Sequence, residues 1–302
     1  TRNDFELARQ IVDDSIDVLV DLTGWTSEQR MQSFIMRPAP VLVTYLGYPN
    51  TTGLEEIDYR ITDRRADPPG ADALYAEKLF RLPRCAWGFG LTEKTPSIKD
   101  RSADAPIVFG SFNNLRKTTA TTLDLWARVL ARVPESRLLL KSKQLKHARA
   151  KARVMDELSS RGVDPSRVEL RSMTLHRYDH LDAYGEMDIA LDTFPYNGTT
   201  TTCEALYMGV PVVSLQGETP ASRVGASLLQ AVGLPDLSTT DGDAYVETAV
   251  RLSRDRQRVS ELRATLRERL RASELGDQRG MARALEDAYR QMWSAWVGSQ
   301  HP

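Results

Sequence analysis

The sequence predicts an α/β protein with two Rossmann-like domains, each a parallel sheet covered by helices. Apolar runs typical of strands alternate with helical patterns along almost the whole chain, and this alternation favours parallel sheets with helices on both faces. The length of 302 residues suits two domains of about 150 residues each. Between the two blocks, residues 88–106 show little periodicity and contain several Lys, Asp, Ser and Pro residues, so we expect a linker there.

The first block opens on an amphipathic pattern that predicts a helix running directly into a buried strand. Because the chain starts at Thr1 inside this βα unit, we expect it to be the C-terminal part of a longer protein, with its first domain truncated. The remaining elements expected in this block are strands at 16–22, 41–46 and 57–63, a helix at 26–36, and a proline-rich turn leading into a short helix at 66–83.

The second block repeats the strand–helix alternation more regularly. Strands are expected at 107–112, 137–141, 168–171, 188–192 and 211–215. Helices are expected at 118–132, 146–161, 180–185, 200–208, 221–231, 244–254, 256–272 and 280–297.

Composition excludes several classes of protein. A formal net charge of −1 argues against a general nucleic-acid or membrane binder, because these carry a basic excess. No apolar run reaches the length of about 20 residues that crosses a bilayer. The two cysteines, Cys85 and Cys203, are too few for a disulfide framework or a cysteine zinc site. We therefore expect a cytoplasmic protein.

Four consecutive threonines, Thr199 to Thr202, stand between an expected strand and an expected helix. In a doubly wound sheet, ligands bind at such junctions, where the first N–H groups of a helix attract anions. Glu204, one turn further on, is placed to accept hydrogen bonds from ribose hydroxyls. The pattern indicates a nucleoside diphosphate site. One threonine acting as an ordinary N-cap remains an equal alternative on these residues alone.

Five stretches in the same order resemble the O-linked N-acetylglucosamine transferase family, which includes the plant spindly-type O-fucosyltransferases. They read "RPAPVLVTYLGYPNTTG", "DYRITDRRADPP", "GSFNNLRK", "DTFPYNGTTTTCEALYMGVPVV" and "GETPASRVGASLL". The resemblance covers nearly the whole chain, and several stretches look closer to the spindly-type branch.

This resemblance implies a GT-B fold with the acceptor peptide in a cleft. It assigns residues 1–95 to the end of the acceptor-side domain, 106–280 to the nucleotide-sugar domain, and 281–302 to a helix packing back on the first. It implies inverting, metal-independent transfer of a sugar to Ser or Thr of proteins, with no cofactor and with UDP-GlcNAc as the first-choice donor. GDP-fucose is the alternative donor. Two further interpretations stay open: a non-catalytic nucleotide-sugar-binding fragment, and a transferase acting on small-molecule or lipid acceptors.

The resemblance also implies roles for individual residues at the phosphates. Lys117 matches a lysine that neutralises the diphosphate and stabilises the leaving group, and Asn114 matches an amide beside it. The remaining residues of the phosphate end lie in the threonine loop: Gly198, Thr199, Thr200 and Thr201.

Further matches concern the nucleoside, the sugar and the acceptor. His180 matches a histidine that stacks on the base, Arg177 a lysine beside it, and Glu204 an aspartate on the ribose. On the sugar side of the cleft the resemblance places Gly47 and Tyr48, and near the acceptor groove Arg30.

The chain departs from the family pattern at two points. Thr199 replaces a histidine of the O-GlcNAc transferases, as in the spindly-type branch, which weakens the case for UDP-GlcNAc. The family's histidine segment and its proposed acidic residue lie before Thr1, so the general base is unknown. Tetratricopeptide repeats are expected upstream in the longer protein.

Overall fold

The computed structural model describes residues 3–26, 28–91, 94–102 and 104–300. They divide into two units: the described residues of Thr1–Gly88 with Asp277–Pro302, and those of Phe89–Gly276. No described helix has the length and apolarity needed to cross a membrane.

The first unit is built on a four-stranded parallel sheet. Helix α1 (Asp4–Asp13) begins with a capping box, in which Asn3 and Glu6 each bind the other's backbone N–H. Strands β1 (Val18–Asp21), β2 (Val41–Thr44), β3 (Tyr59–Asp63) and β4 (Lys78–Leu82) pair in sequence order. Helix α2 (Met31–Ile35) buries Met31 and Phe34 against Leu42 and Ile57. This cluster holds the helix on the sheet.

The last helix, α10 (Gln278–Gln300), belongs to the first unit. Its buried Met281 lies 3.6 Å from the hydroxyl of Tyr45, just beyond β2. Arg84 reaches the carboxylate of Asp277 at 3.1 Å, at the start of the same segment. A hydroxyl–thioether hydrogen bond and an ion pair therefore fix the start of this helix on the unit.

The second unit has a six-stranded parallel sheet in the order β10-β9-β8-β5-β6-β7. Its strands are β5 (Val108–Ser111), β6 (Arg137–Lys141), β7 (Val168–Arg171), β8 (Ile189–Leu191), β9 (Val212–Leu215) and β10 (Ser238–Thr239). Its helices are α3 (Ala120–Arg132), α4 (Ala148–Ser159), α5 (Arg177–Asp182), α6 (Thr200–Tyr207), α7 (Val224–Ala231), α8 (Gly242–Arg254) and α9 (Arg256–Ala272). The order reverses between β5 and β8, the switch point at which doubly wound sheets bind ligands.

The structure corrects three of the expected elements. Residues 66–83 contain a 3-10 turn and strand β4 rather than a short helix, because Leu79 and Leu82 are buried when β4 pairs with β3. The helix expected at 26–36 covers only Met31–Ile35, and Ser27 lies outside the described residues. The helix expected at 180–185 begins three residues earlier, at Arg177.

Candidate functional site

Two loops meet at the switch point of the second unit, one following β5 and one following β8. Buried Asp192, directly after β8, organises both. Its Oδ1 accepts from the N–H groups of Gly198 at 2.7 Å and Thr193 at 2.9 Å, and from the amide of Asn113 at 3.2 Å. Its Oδ2 accepts from the hydroxyl of Ser214, on β9, at 2.8 Å. Burial raises the pKa of Asp192, although these hydrogen bonds oppose the shift.

Gly198 is the close-packed point of the threonine loop. A Cβ at this position would lie 2.5 Å from the hydroxyl of Thr201 and 2.9 Å from the side-chain oxygen of Asn113, so any larger residue would displace them. Because its N–H is bound to Asp192, this amide shapes the loop and is not available to an anion.

Helix α6 begins at Thr200 with unpaired backbone donors. Within the described residues, the N–H groups of Thr200 and Thr201 have no acceptor, as is usual for the first turn of a helix. The Thr201 hydroxyl donates to Asn113 at 2.8 Å, and Thr199 makes no side-chain cap. Two free amides at a positive helix end form a ready anion site.

Lys117 reaches this loop from the 3-10 turn that follows β5. Its ammonium donates to the carbonyl of Asn197 at 2.8 Å and lies 3.8 Å from the centre of the Tyr196 ring. Burial lowers the pKa of Lys117 to about 8, and Asp192 opposes this shift. The side chain is therefore mainly protonated at pH 7 and lies beside the residues that open α6.

Asn114 does not face the threonine loop. Its side-chain oxygen accepts from the N–H of Arg116 at 3.0 Å and from the amide of Gln144 at 2.9 Å, and the residue is exposed. Its neighbour Asn113 is the buried amide that contacts Asp192 and Thr201. The sequence prediction named Asn114 and missed Asn113, although both belong to the same Asn pair.

The residues predicted to contact the nucleotide base and the ribose form a second cluster at helix α6. Nε2 of His180 lies 3.0 Å from Oε2 of Glu204, and Arg177 lies 3.7 Å from Oε1 of the same carboxylate. The hydroxyl of Tyr184 lies 3.3 Å from Oε2 and also 3.3 Å from the carbonyl of Thr201. Burial raises the pKa of Tyr184 well above its usual value, so the hydroxyl is a neutral donor. The two clusters are joined through Thr201.

Sequence reasoning missed Lys141, the last residue of β6. Its ammonium lies 3.1 Å from Nδ1 of His180, on the side opposite Glu204. A charged residue ending the apolar run "LLLK" was the available signal, because ligands of doubly wound sheets bind beyond the carboxyl ends of the strands.

Three predicted residues belong to the first unit. Gly47 packs so closely that a Cβ there would overlap the backbone of Leu22, and the carbonyl of Tyr48 accepts from Arg60 at 2.8 Å. Arg30 pairs with Asp4 at 3.0 Å. The structure thus assigns Gly47, Tyr48 and Arg30 to a different unit from Lys117, and their contacts with a substrate stay predictions.

The two sheets and the switch-point site define a GT-B glycosyltransferase fold, which confirms the predicted fold class. The structure resembles that of HepE from Anabaena, solved with UDP and glucose, with a TM-score of 0.60 at 14% identity over 95% of this chain and 82% of that one. At this identity the likeness concerns the fold alone.

The chain belongs to glycosyl transferase family 41, whose model matches residues 3–89 and 94–285. It resembles the O-GlcNAc transferase of Thermobaculum terrenum, solved as a K341M mutant, with a TM-score of 0.92 and 40% identity over 99% of this chain and 57% of that one. It is 44% identical to the tomato (Solanum lycopersicum) protein described as "Probable UDP-N-acetylglucosamine--peptide N-acetylglucosaminyltransferase SPINDLY", over 98% of this chain. It spans 32% of that relative.

Proposed function

We propose that the chain is the catalytic region of a protein O-glycosyltransferase whose second unit binds a nucleoside diphosphate sugar. The observation that carries this proposal is the convergence of a partly buried ammonium and two free helix amides at the switch point. These are groups that bind a pyrophosphate. The His180–Glu204 cluster lies beside the same helix, where a nucleoside attached to that pyrophosphate would extend.

The proposed reaction is a single displacement with inversion. A Ser or Thr hydroxyl attacks the anomeric carbon and loses its proton to a general base, to which no residue of this chain is assigned, as the bond to the diphosphate breaks. Negative charge grows on the leaving phosphate. Lys117 and the amides of Thr200 and Thr201 then stabilise the transition state more than the ground state. We propose that this positive charge is sufficient without a metal ion.

Two candidate nucleotide-sugar donors are each supported by a different observation. UDP-GlcNAc is the first candidate, in line with the descriptions of the relatives. Thr199 favours GDP-fucose, because the O-GlcNAc transferases that the chain resembles carry a histidine at that position and the spindly-type branch does not. His180 can stack on either base.

Transfer to a Ser- and Thr-containing peptide, followed by mass spectrometry, tests the proposal. We expect one of the two donors to add its sugar to the peptide, and the Lys117→Met variant to add far less. The exposed Lys143→Met variant is the matched control and should match the parent chain. A folded chain that binds UDP or GDP but transfers neither sugar would be a nucleotide-sugar-binding module, and one that binds neither nucleotide would refute the proposal entirely.

A further inference from the structure

Lys141 is a buried cation that forms no ion pair with a carboxylate in the part of the chain that the structure describes. It is 2% exposed, and among the described residues no carboxylate lies within ion-pair distance of its ammonium. Its neighbours are the Thr174 hydroxyl at 3.2 Å, Nδ1 of His180 at 3.1 Å and the Phe112 ring at 5.1 Å. Burying a charge costs stability unless it is compensated, so packing alone favours an apolar residue here.

With Lys141 protonated and Glu204 ionised, hydrogen-bonding chemistry leaves one arrangement for His180. A carboxylate only accepts, so the Nε2 that faces Glu204 must carry a proton. An ammonium only donates, so the Nδ1 that faces Lys141 must be the acceptor. The ring is then neutral, with a single tautomer fixed from both sides.

Glu204 in turn has one oxygen committed and one available. Oε2 receives Nε2–H of His180 at 3.0 Å and the Tyr184 hydroxyl at 3.3 Å, and a carboxylate oxygen accepts about two hydrogen bonds. Oε1 faces Arg177 at the longer distance of 3.7 Å. This oxygen keeps capacity for further donors such as ribose hydroxyls.

We propose that Lys141 is a positioning residue of the nucleoside end of the site. By donating to Nδ1 it holds His180 in the Nε2–H tautomer, which locks Oε2 of Glu204 and leaves Oε1 to the ribose. This inference rests on the proposed nucleotide site. Lys141 does not touch the ligand itself, because it is buried beneath His180.

The tautomer of His180 depends on whether Lys141 is charged. Burial lowers the pKa of Lys141, and Arg171 lowers it further, whereas Glu204, Glu186 and Asp179 raise it. A neutral amine would instead accept from Nδ1–H and give the opposite tautomer. The charged and neutral forms of Lys141 therefore differ in which ring nitrogen of His180 carries the proton, and this can be observed directly.

Nitrogen-15 NMR of the ligand-free chain at pH 7 shows which ring nitrogen of His180 carries the proton. The His180 resonances are assigned by comparison with the His180→Phe variant. We expect the proton on Nε2 and an Nδ1 resonance shifted by an accepted hydrogen bond. A proton on Nδ1, or on both nitrogens, overturns the proposal. This measurement needs no ligand, no Lys141 variant and no assumption about function.

A double-mutant cycle then tests the effect on binding, with UDP and GDP as the titrated ligands. We expect Lys141→Met to weaken the binding of UDP or GDP about tenfold, which corresponds to the lower end of the contribution of one hydrogen bond to a charged group. In a transfer assay the KM for the donor should rise with little change in kcat. In the His180→Phe background, Lys141→Met should have no further effect.

The double-mutant cycle can also contradict the proposal. Equal losses in both backgrounds would show that Lys141 does not act through His180, and the proposal would fail. Lys143→Met, an exposed neighbour, is the control and should leave affinity unchanged, and thermal unfolding of every variant checks folding. A parent chain that binds neither nucleotide refutes the proposed function, while the NMR result still decides whether Lys141 orients His180.

Discussion

Each unit has a buried carboxylate at the end of a parallel strand, and the groups that follow this carboxylate differ between the units. In the first unit, Asp21 ends β1 and accepts from the N–H groups of Thr23 at 2.9 Å and Gly24 at 2.9 Å, and from the Thr44 hydroxyl of the adjacent strand at 2.8 Å. In the second unit, Asp192 follows β8 and accepts from the N–H groups of Thr193 and Gly198 and from the Ser214 hydroxyl of the adjacent strand. A buried strand-end carboxylate therefore anchors a loop in both units.

The difference lies in the helix that follows each turn. In the five-residue α2, the N–H of Met31 is bound to Gln29 at 2.8 Å and that of Ser33 to Arg30 at 2.9 Å. In α6, the described residues offer no acceptor to Thr200 or Thr201, and Lys117 lies beside them. The feature that distinguishes the proposed site is therefore not the strand-end carboxylate but Lys117 beside the unpaired amides of Thr200 and Thr201.

The largest expected effect comes from replacing Lys117, the cation that lies beside the threonine loop of the second unit. Lys117→Met should lower kcat for sugar transfer on the order of 100- to 1000-fold, because one preorganised donor to a developing charge contributes roughly 3–4 kcal/mol. Steady-state kinetics with the active donor measures this. A loss no larger than that of Lys143→Met would remove Lys117 from the reaction.

The two anchoring carboxylates should have similar effects on stability but different effects on binding. Asp192→Asn and Asp21→Asn each disturb several buried hydrogen bonds and should each cost about 2 kcal/mol, measured by thermal unfolding. Only Asp192→Asn should weaken UDP or GDP binding, because it releases the loop at Gly198. Equal losses of affinity in both variants would contradict a site confined to the second turn.

The smallest of these effects is a pH dependence. With a pKa of about 8, Lys117 is charged below that pH, and a bound diphosphate raises its pKa, so binding takes up a proton above pH 8. Affinity should fall by about twofold between pH 7 and 8, and by up to about tenfold per pH unit well above pH 8. Calorimetry from pH 7 to 9.5 shows this slope, which Lys117→Met should abolish.

The sequence predicted the elements whose periodicity is unambiguous. The strands at Arg137–Lys141 and Val168–Arg171 and the helix at Arg256–Ala272 have the predicted bounds. Strand β4 was wrongly read as a helix, because "EKLFRL" contains good helix formers and only its pairing with β3 makes it a strand. The two-residue β10 is too short to show any period.

For the candidate site, the sequence located the loops better than the side chains. Lys117, the threonine loop, His180 and Glu204 were all named, and the structure brings them together in the second unit. Which of Asn113 and Asn114 turns inward depends on the backbone after β5, which composition does not reveal. Lys141 was missed because a lysine at a strand end usually lies in solvent, and only the fold buries it.

The most direct test of the central claim compares a nucleoside diphosphate with its monophosphate on the same protein. Calorimetric titration of UDP against UMP, or of GDP against GMP, isolates the second phosphate. We expect the diphosphate to bind at least about tenfold more tightly, with most of that advantage lost in Lys117→Met. Equal affinities for the two nucleotides, in the parent chain and the variant alike, would contradict a pyrophosphate site at the start of α6.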